Sequence, residues 1–317
     1  MLNKIKKNQI FDLHLDLEVY FNPKLRKILN FKYSKIDKLE KNRHFDLVQA
    51  KKVNLKYAVV QIQSIYFKKN KLEPLLNFKE ALYNLENFKK KAGKFFKIIS
   101  KKSDLDDLNN KIGIILGFEG LNFVSNIKDL EILWKSDIRV FGLCWNFENK
   151  ICGGLWSNKA ISSFGRKSID FLNKLNAIID LAHANEISQL EAIKIAKNFI
   201  FSHNNIRKVS DFNQNISDKV LKNLKNKKTL IGLTLLPKAL KPENSFNSFL
   251  KNYKFLYKEN KNIVAIGSDF FGFDFESSPK GAKNYIEFYK NLLKHKVNIY
   301  KLFDNTYKFF YNIISTW

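Results

Sequence analysis

Residues 10–16 read Ile10-Phe11-Asp12-Leu13-His14-Leu15-Asp16. Apolar and polar side chains alternate with period two, as they do along a half-buried strand. On a regular strand Asp12, His14 and Asp16 share one face, while Phe11, Leu13 and Leu15 share the other. An imidazole and a carboxylate two residues apart on one strand can grip a single metal ion. On a solvated strand the same residues would simply face water, so the rest of the chain decides between the two.

Outward from this stretch, short apolar runs alternate with longer, lysine-rich amphipathic segments. The pattern predicts strands at about 9–16, 57–64, 111–118, 139–145, 176–182, 199–202, 229–235 and 262–268. Helices are predicted among them at 76–98, 127–135, 159–174, 187–197, 216–226, 244–258 and 280–294. Eight strands with intervening helices point to an α/β fold, a (β/α)8 TIM barrel. A chain of 317 residues fits one such domain, spanning 1–317. The long connection from Pro23 to Val53 is expected to carry its own helical structure over the barrel mouth. Residues 296–317 are expected to pack outside the barrel as an added helix.

Composition narrows the classes further. Hydrophobic residues make up 45% of the chain and Gly and Pro are few, which excludes disordered and collagen-like polymers. The formal net charge is +26, carried almost wholly by lysine, since arginine occurs only at 26, 43, 139, 166 and 207. Such a field could attract a nucleic acid or an anionic membrane. The lysines follow no single stretch, however, and nucleic-acid readers favour arginine for bidentate contacts. The charge therefore reads as solubility and weak steering. Cys144 and Cys152 form no CxxC pair, which fits a reducing compartment. No apolar run approaches the roughly 20 residues of a membrane helix, and the N-terminal stretch lacks a signal-like apolar core. A cytoplasmic location is the expectation.

In barrels of this kind chemistry sits where strands end and βα loops begin. The first run ends in His14 and Asp16, the third in Glu119, the fifth in His183, the sixth in His203 and the eighth in Asp269. Three of the five histidines thus stand at strand ends, while His44 and His295 fall in predicted helices and are expected at the surface. One such histidine would ordinarily be a hydrogen-bonded structural residue. Three, with a Glu and two Asp on one rim, suit zinc or a similar divalent ion, and two ions could share the Glu119 carboxylate.

With these residues in place the chain resembles the membrane (renal) dipeptidases and their bacterial relatives, binuclear zinc hydrolases on a (β/α)8 barrel of the metal-dependent hydrolase type. The resemblance runs from Phe11 to about Tyr285. Asp12-Leu13-His14-Leu15-Asp16 is similar to the family's DGHxD opening, and Gly117-Phe118-Glu119-Gly120 to its (I/V)EG element. Arg139 through Asn149 follows RxLxLTHNxxN, and Ile179-Asp180-Leu181-Ala182-His183 follows IDLSH. Phe201-Ser202-His203-Asn204 is similar to FSHS, Asn215 through Asp218 to NxxD, and Gly267 through Gly272 to GSDFDG.

The resemblance implies roles residue by residue. His14 and Asp16 would bind one zinc, His183 and His203 the other, and Glu119 would bridge the two. Asp269 would shuttle the proton, with Glu119 and Asp269 counted as catalytic. Trp145, Asn146, Gln214 and Arg207 fall at or near the substrate positions. Asp180 is open to two readings, a partner of the metal ligands or an inward structural acid. The implied activity is hydrolysis of a dipeptide or related small amide, with that substrate as partner. No specific nucleic acid and no membrane are expected, and a homodimer is left open.

Two positions depart from the family pattern. The family's carbonyl-orienting His is Trp145, whose indole offers one N–H donor and no acceptor. It either fills space or marks a changed substrate pocket. The family's carboxylate-holding Arg corresponds to Gln214, which cannot form a charged bidentate clamp, although Arg207 or Lys208 lies in the same loop. These departures keep two alternatives in view. One is a dipeptidase-like binding protein with weak or no turnover. The other is a barrel metal-dependent phosphodiesterase, suggested by the basic charge and disfavoured by the lack of an aromatic-basic strip.

Overall fold

The structure is a computed structural model that describes residues 9–28, 35–40, 42–64, 66–68, 71–73 and 76–317. Eight parallel strands close on themselves: β1 (Ile10–Leu15), β2 (Leu55–Gln63), β3 (Ile112–Glu119), β4 (Ile138–Gly142), β5 (Ile178–Asp180), β6 (Phe199–Phe201), β7 (Thr229–Leu233) and β8 (Val264–Ile266). Closure comes from β2 pairing with β3 on one edge and with β1 on the other. Each predicted strand is present, and the (β/α)8 barrel is the fold. All eight are buried along almost their whole length, as strands covered on both faces must be.

The outer layer is helical: α1 (Phe78–Ala92), α2 (Ile127–Lys135), α3 (Ser163–Lys174), α4 (Glu186–Ile195), α5 (Asp218–Asn223), α6 (Phe246–Asn260) and α7 (Tyr285–Lys294). Short polar side chains start them. Asn77 with Glu80 and Asn126 with Asp129 make reciprocal capping boxes, and Ser162, Asn185, Ser217, Ser245 and Asn284 each accept a backbone N–H of the first turn. The expected helix at 76–98 stops early. Past Gly93 the chain turns, and Phe96–Ile98 forms a short edge strand paired with the start of β3. A hairpin of Tyr66–Lys68 and Lys71–Glu73 was also not expected.

Two expectations need correction. The last helix, α8 (Ile299–Ile314), does not lie outside the barrel but closes its floor. Phe310, Ile313 and Ile314 join an interior cluster with Phe11, Leu13, Tyr57, Val59, Ile115, Val140, Ile178, Ile200, Leu230 and Ala265, one or two from every strand. The Phe11 and Phe310 rings sit 5.0 Å apart. An amphipathic helix at the end of the sequence shows an apolar face, but nothing local says which surface that face will cover.

His44 is the second correction, for it is buried rather than exposed. The connection between β1 and β2 holds short helices at Glu18–Phe21, Pro23–Ile28 and Leu47–Lys52, as expected, and packs onto the loop after β8. His44 is the joint. Its ring stacks on Phe270 at 5.0 Å, its Nδ1 accepts the Phe271 N–H, and its Nε2 meets Ser278 Oγ at 2.9 Å. Burial pulls its pKa down from 6.5 to about 3.

The neutral form of His44 is therefore the native one. In the unfolded chain it takes a proton below about pH 6.5, so its contribution is present above that pH and is lost as pH falls toward 3. Urea midpoints at pH 7 and 4.5 should fall with acid, and fall less steeply in His44→Gln. At the floor, Phe310→Ala should cost about 3–5 kcal/mol, read as a lower midpoint with an unchanged urea slope.

Candidate metal centre

The strand that opens the sequence is not regular. The pairing of β1 with β2 shifts register between Asp12 and Leu15, so Leu13 faces the barrel interior and its neighbour His14 also reaches the mouth. Asp12 does not join His14 and Asp16 on one face, as strict alternation required. Its carboxylate turns toward α7, accepting from the Tyr285 hydroxyl and from the backbone N–H groups of His14 and Ser268. One acid thereby fixes the irregularity that aims the histidine. The chain after β8 then zips onto β1, with Asp269 N–H donating to the His14 carbonyl and Asp16 N–H to the Phe270 carbonyl.

All six residues marked by their strand-end positions gather at this mouth, and all are buried. His183 Nε2 lies 2.8 Å from Glu119 Oε1 and 2.9 Å from His203 Nε2. His14 Nε2 lies 3.5 Å from Glu119 Oε1, 3.6 Å from Asp16 Oδ1 and 3.8 Å from Asp269 Oδ1. His14, Asp16 and Asp269 thus form one group whose ligand atoms lie within 4.8 Å of one another, and Glu119, His183 and His203 form a second. A third joins His14 and His203 to Asp180.

The rings are held by their far nitrogens. Ser202 Oγ sits 2.9 Å from His14 Nδ1 and 2.8 Å from His203 Nδ1. A hydroxyl oxygen has two lone pairs and can accept from both rings, leaving both Nε2 lone pairs facing the centre. Asn146 Oδ1 accepts from His183 Nδ1 at 2.8 Å with the same result. Asp180 is buried beneath them, accepting the Ser202 and Ala182 N–H groups, so it shapes the Ser202 turn. Gly232 and Gly267 flank that turn, and a Cβ at either position would overlap the Ser202 carbonyl oxygen.

These contacts make a demand on charge. Burial opposes a proton on His14, yet the nearby carboxylate of Asp16, with those of Glu119 and Asp269, outweighs it and pushes its pKa up to about 10. Burial, together with repulsion from Asp16, Glu119 and Asp12, raises Asp269 well above the carboxylate range. Burial and Glu119 raise Asp16. For Glu119 burial is overcome by His183 and His14, and its pKa is lowered. Burial, then the positive charge of His14 and His183, drives His203 well below its usual value. His14 Nε2 and Asp16 Oδ1 are buried without a hydrogen-bond partner. Orphaned nitrogen and oxygen atoms facing a shared centre suit a divalent cation.

The residues expected at substrate positions fall differently. Trp145 lies over His183, with ring centroids 5.6 Å apart. Gln214 is buried, and its amide donates to the His203 carbonyl. Arg207 donates to the Asn213 and Asn215 carbonyls and approaches Glu186 at 3.7 Å. Ser202 was not marked as a site residue, because strand alternation sends adjacent residues apart and gives no sign that it would bridge two imidazoles. Ser64, which donates to the Glu119 carbonyl at 2.6 Å, was likewise missed.

Comparison with known proteins agrees with this architecture. The family model described as membrane dipeptidase (peptidase family M19) matches residues 3–306. Two uncharacterized dipeptidases of Schizosaccharomyces pombe are 25% and 26% identical over 69% and 56% of this chain. The chain spans only about half the length of these relatives, the matches covering 56% and 45% of them. Among solved structures, a metallo peptidase from Rhodobacter sphaeroides, liganded with a phosphinate mimic of the dipeptide L-Ala-D-Ala, superposes with TM-score 0.79. Identity there is 16%, over 98% of this chain and 100% of that one. The probable dipeptidase PvdM from Pseudomonas aeruginosa gives the same score at 15% identity, over 99% and 97%. With the family model spanning nearly every strand and helix of the barrel, the chain belongs to the membrane dipeptidase family, peptidase family M19.

Proposed function

We propose that this protein is a metal-dependent hydrolase of a dipeptide or related small amide. The observation that carries the reading is the buried mouth, where three imidazoles and three carboxylates converge with His14 Nε2 and Asp16 Oδ1 lacking partners. His14 and Asp16 would hold one ion and His183 and His203 a second, with Glu119 between them. The donor set of nitrogen and carboxylate oxygen suits zinc. When bound, such ions supply Lewis acidity toward the scissile carbonyl and acidify a water at neutral pH.

The protein's own groups then divide the remaining work. Asp269 would take the proton from water as the oxygen bonds to the carbonyl carbon. It returns that proton to the amine nitrogen as the C–N bond breaks. Ser202 and Asn146 keep the imidazoles in the orientation and tautomer that bind. The Trp145 indole N–H would be a neutral donor at the position where the family pattern has histidine.

Gln214 and Arg207 spend their donors on loop carbonyls, which favours an amide that needs no charged clamp on a terminal carboxylate. The same observation favours the second reading, a family member that binds small peptides and turns them over weakly. Cys144 and Cys152 are buried and unbridged, which supports a cytoplasmic setting. Among the described residues no helix is long and apolar enough to cross a membrane.

Purified protein is expected to contain about two zinc equivalents and to lose hydrolysis of a dipeptide panel on chelation. Metal retained with no turnover across L,L and L,D dipeptides would select the second reading. Asp269→Asn should lower kcat by about 10²–10⁴ while zinc content stays unchanged. Ser202→Ala should weaken zinc binding roughly 10- to 100-fold by competition with a chelator, with a normal circular dichroism spectrum.

A further inference from the structure

The loop after β4 carries an aromatic surface of which the chemistry above uses only the Trp145 N–H. Trp145, Phe147 and Trp156 form a closed set of ring contacts. Trp145 and Trp156 meet edge to face at 5.7 Å, Phe147 and Trp156 edge to face at 4.8 Å, and Trp145 and Phe147 at 5.8 Å. One member touches the metal centre, since Trp145 lies 5.6 Å from the His183 ring. Another faces solvent, since Trp156 remains 57% exposed. The surface therefore runs from a ligand imidazole out to the rim.

This surface is rigidly mounted. Asn149 ties the loop to itself, donating to the Leu143 carbonyl and accepting from the Ile151 and Cys152 N–H groups. Trp156 N–H donates to the Asn146 carbonyl, and Asn185 N–H to the Gly153 carbonyl. At Gly154 an added Cβ would overlap the Trp145 carbonyl oxygen, so the backbone there is already in contact. A large indole left open on a fixed loop beside a reaction centre is a costly surface for water and a ready one for an apolar ring.

We propose that Trp145, Phe147 and Trp156 form a subsite for an aromatic side chain of the substrate, making this member selective for small peptides that carry Phe, Tyr or Trp next to the scissile amide. The inference rests on the proposed function for its substrate class, and it replaces the missing charged clamp with an apolar one. The ring edges and faces supply the recognition, and His183, held by Asn146, fixes the distance between the side-chain subsite and the metal centre.

The test uses the full-length, zinc-replete protein and reduced-amide dipeptides, in which CH2–NH replaces the peptide bond so that nothing is cleaved. Phe-Ala, Ala-Phe, Ala-Ala and Lys-Ala analogues are titrated by calorimetry and by tryptophan emission. One of the two phenylalanine analogues should bind roughly 5- to 10-fold tighter than Ala-Ala, the size of an aromatic contact. Trp156→Ala should erase that preference and Trp156→Phe should retain most of it. This pattern supports the subsite even if no natural dipeptide is hydrolysed, in which case the hydrolase reading alone falls. Equal affinity for Phe and Ala analogues, an unchanged preference in both Trp156→Ala and Trp145→Leu, or an equal gain for Lys-Ala overturns the subsite, whatever the hydrolysis assay shows.

Discussion

Electron-rich atoms crowded into a dry space need a positive charge to share. At this barrel mouth the Nε2 atoms of His183 and His203 lie 2.9 Å apart, with a Glu119 oxygen 2.8 Å from the first. Three carboxylates crowd the single nitrogen of His14. Most local features answer to that arrangement. The register shift in β1 brings His14 to the centre, Asp12 holds the shift from behind, and two glycines clear the path for the Ser202 turn. Such a cluster is expensive to bury unless its charges are balanced, so the surrounding fold has to be rigid enough to keep it in place.

Much of this was legible in the sequence, for identifiable reasons. Strand ends are punctuated by chemistry: Glu119, His183, His203 and Asp269 each follow a short apolar run whose length favours a buried strand over a helix. The barrel follows from the alternation of such runs with amphipathic segments. Asp12 and Ser202 were misread or passed over because both depend on departures from regular alternation. A bulge is a property of two paired strands, and one strand's sequence does not announce it.

His44 and α8 show a different limit. A histidine in a polar stretch of Lys, Asn and Arg looks exposed, and only the fold brings Phe270 beneath its ring. The apolar stripe of α8 is plain in the sequence, yet its partner surface is assembled from all eight strands. Local pattern names the face; tertiary contact names what it covers. The loop after β4 sits between these cases. Trp145 was visible, but its packing with Phe147 and Trp156 and its distance from His183 were not.

The placement of α8 links the start of the chain to its far end. Phe11, in the first strand, rests on Phe310, in the last helix, so the interior cannot be sealed until both are present. A ribosome must therefore release residues beyond 310 before the floor can form. Until then the opening strand, with the histidine and the acid it aims at the mouth, has an open end beneath it. Sealing of the floor therefore waits on α8, whatever order the strands form in.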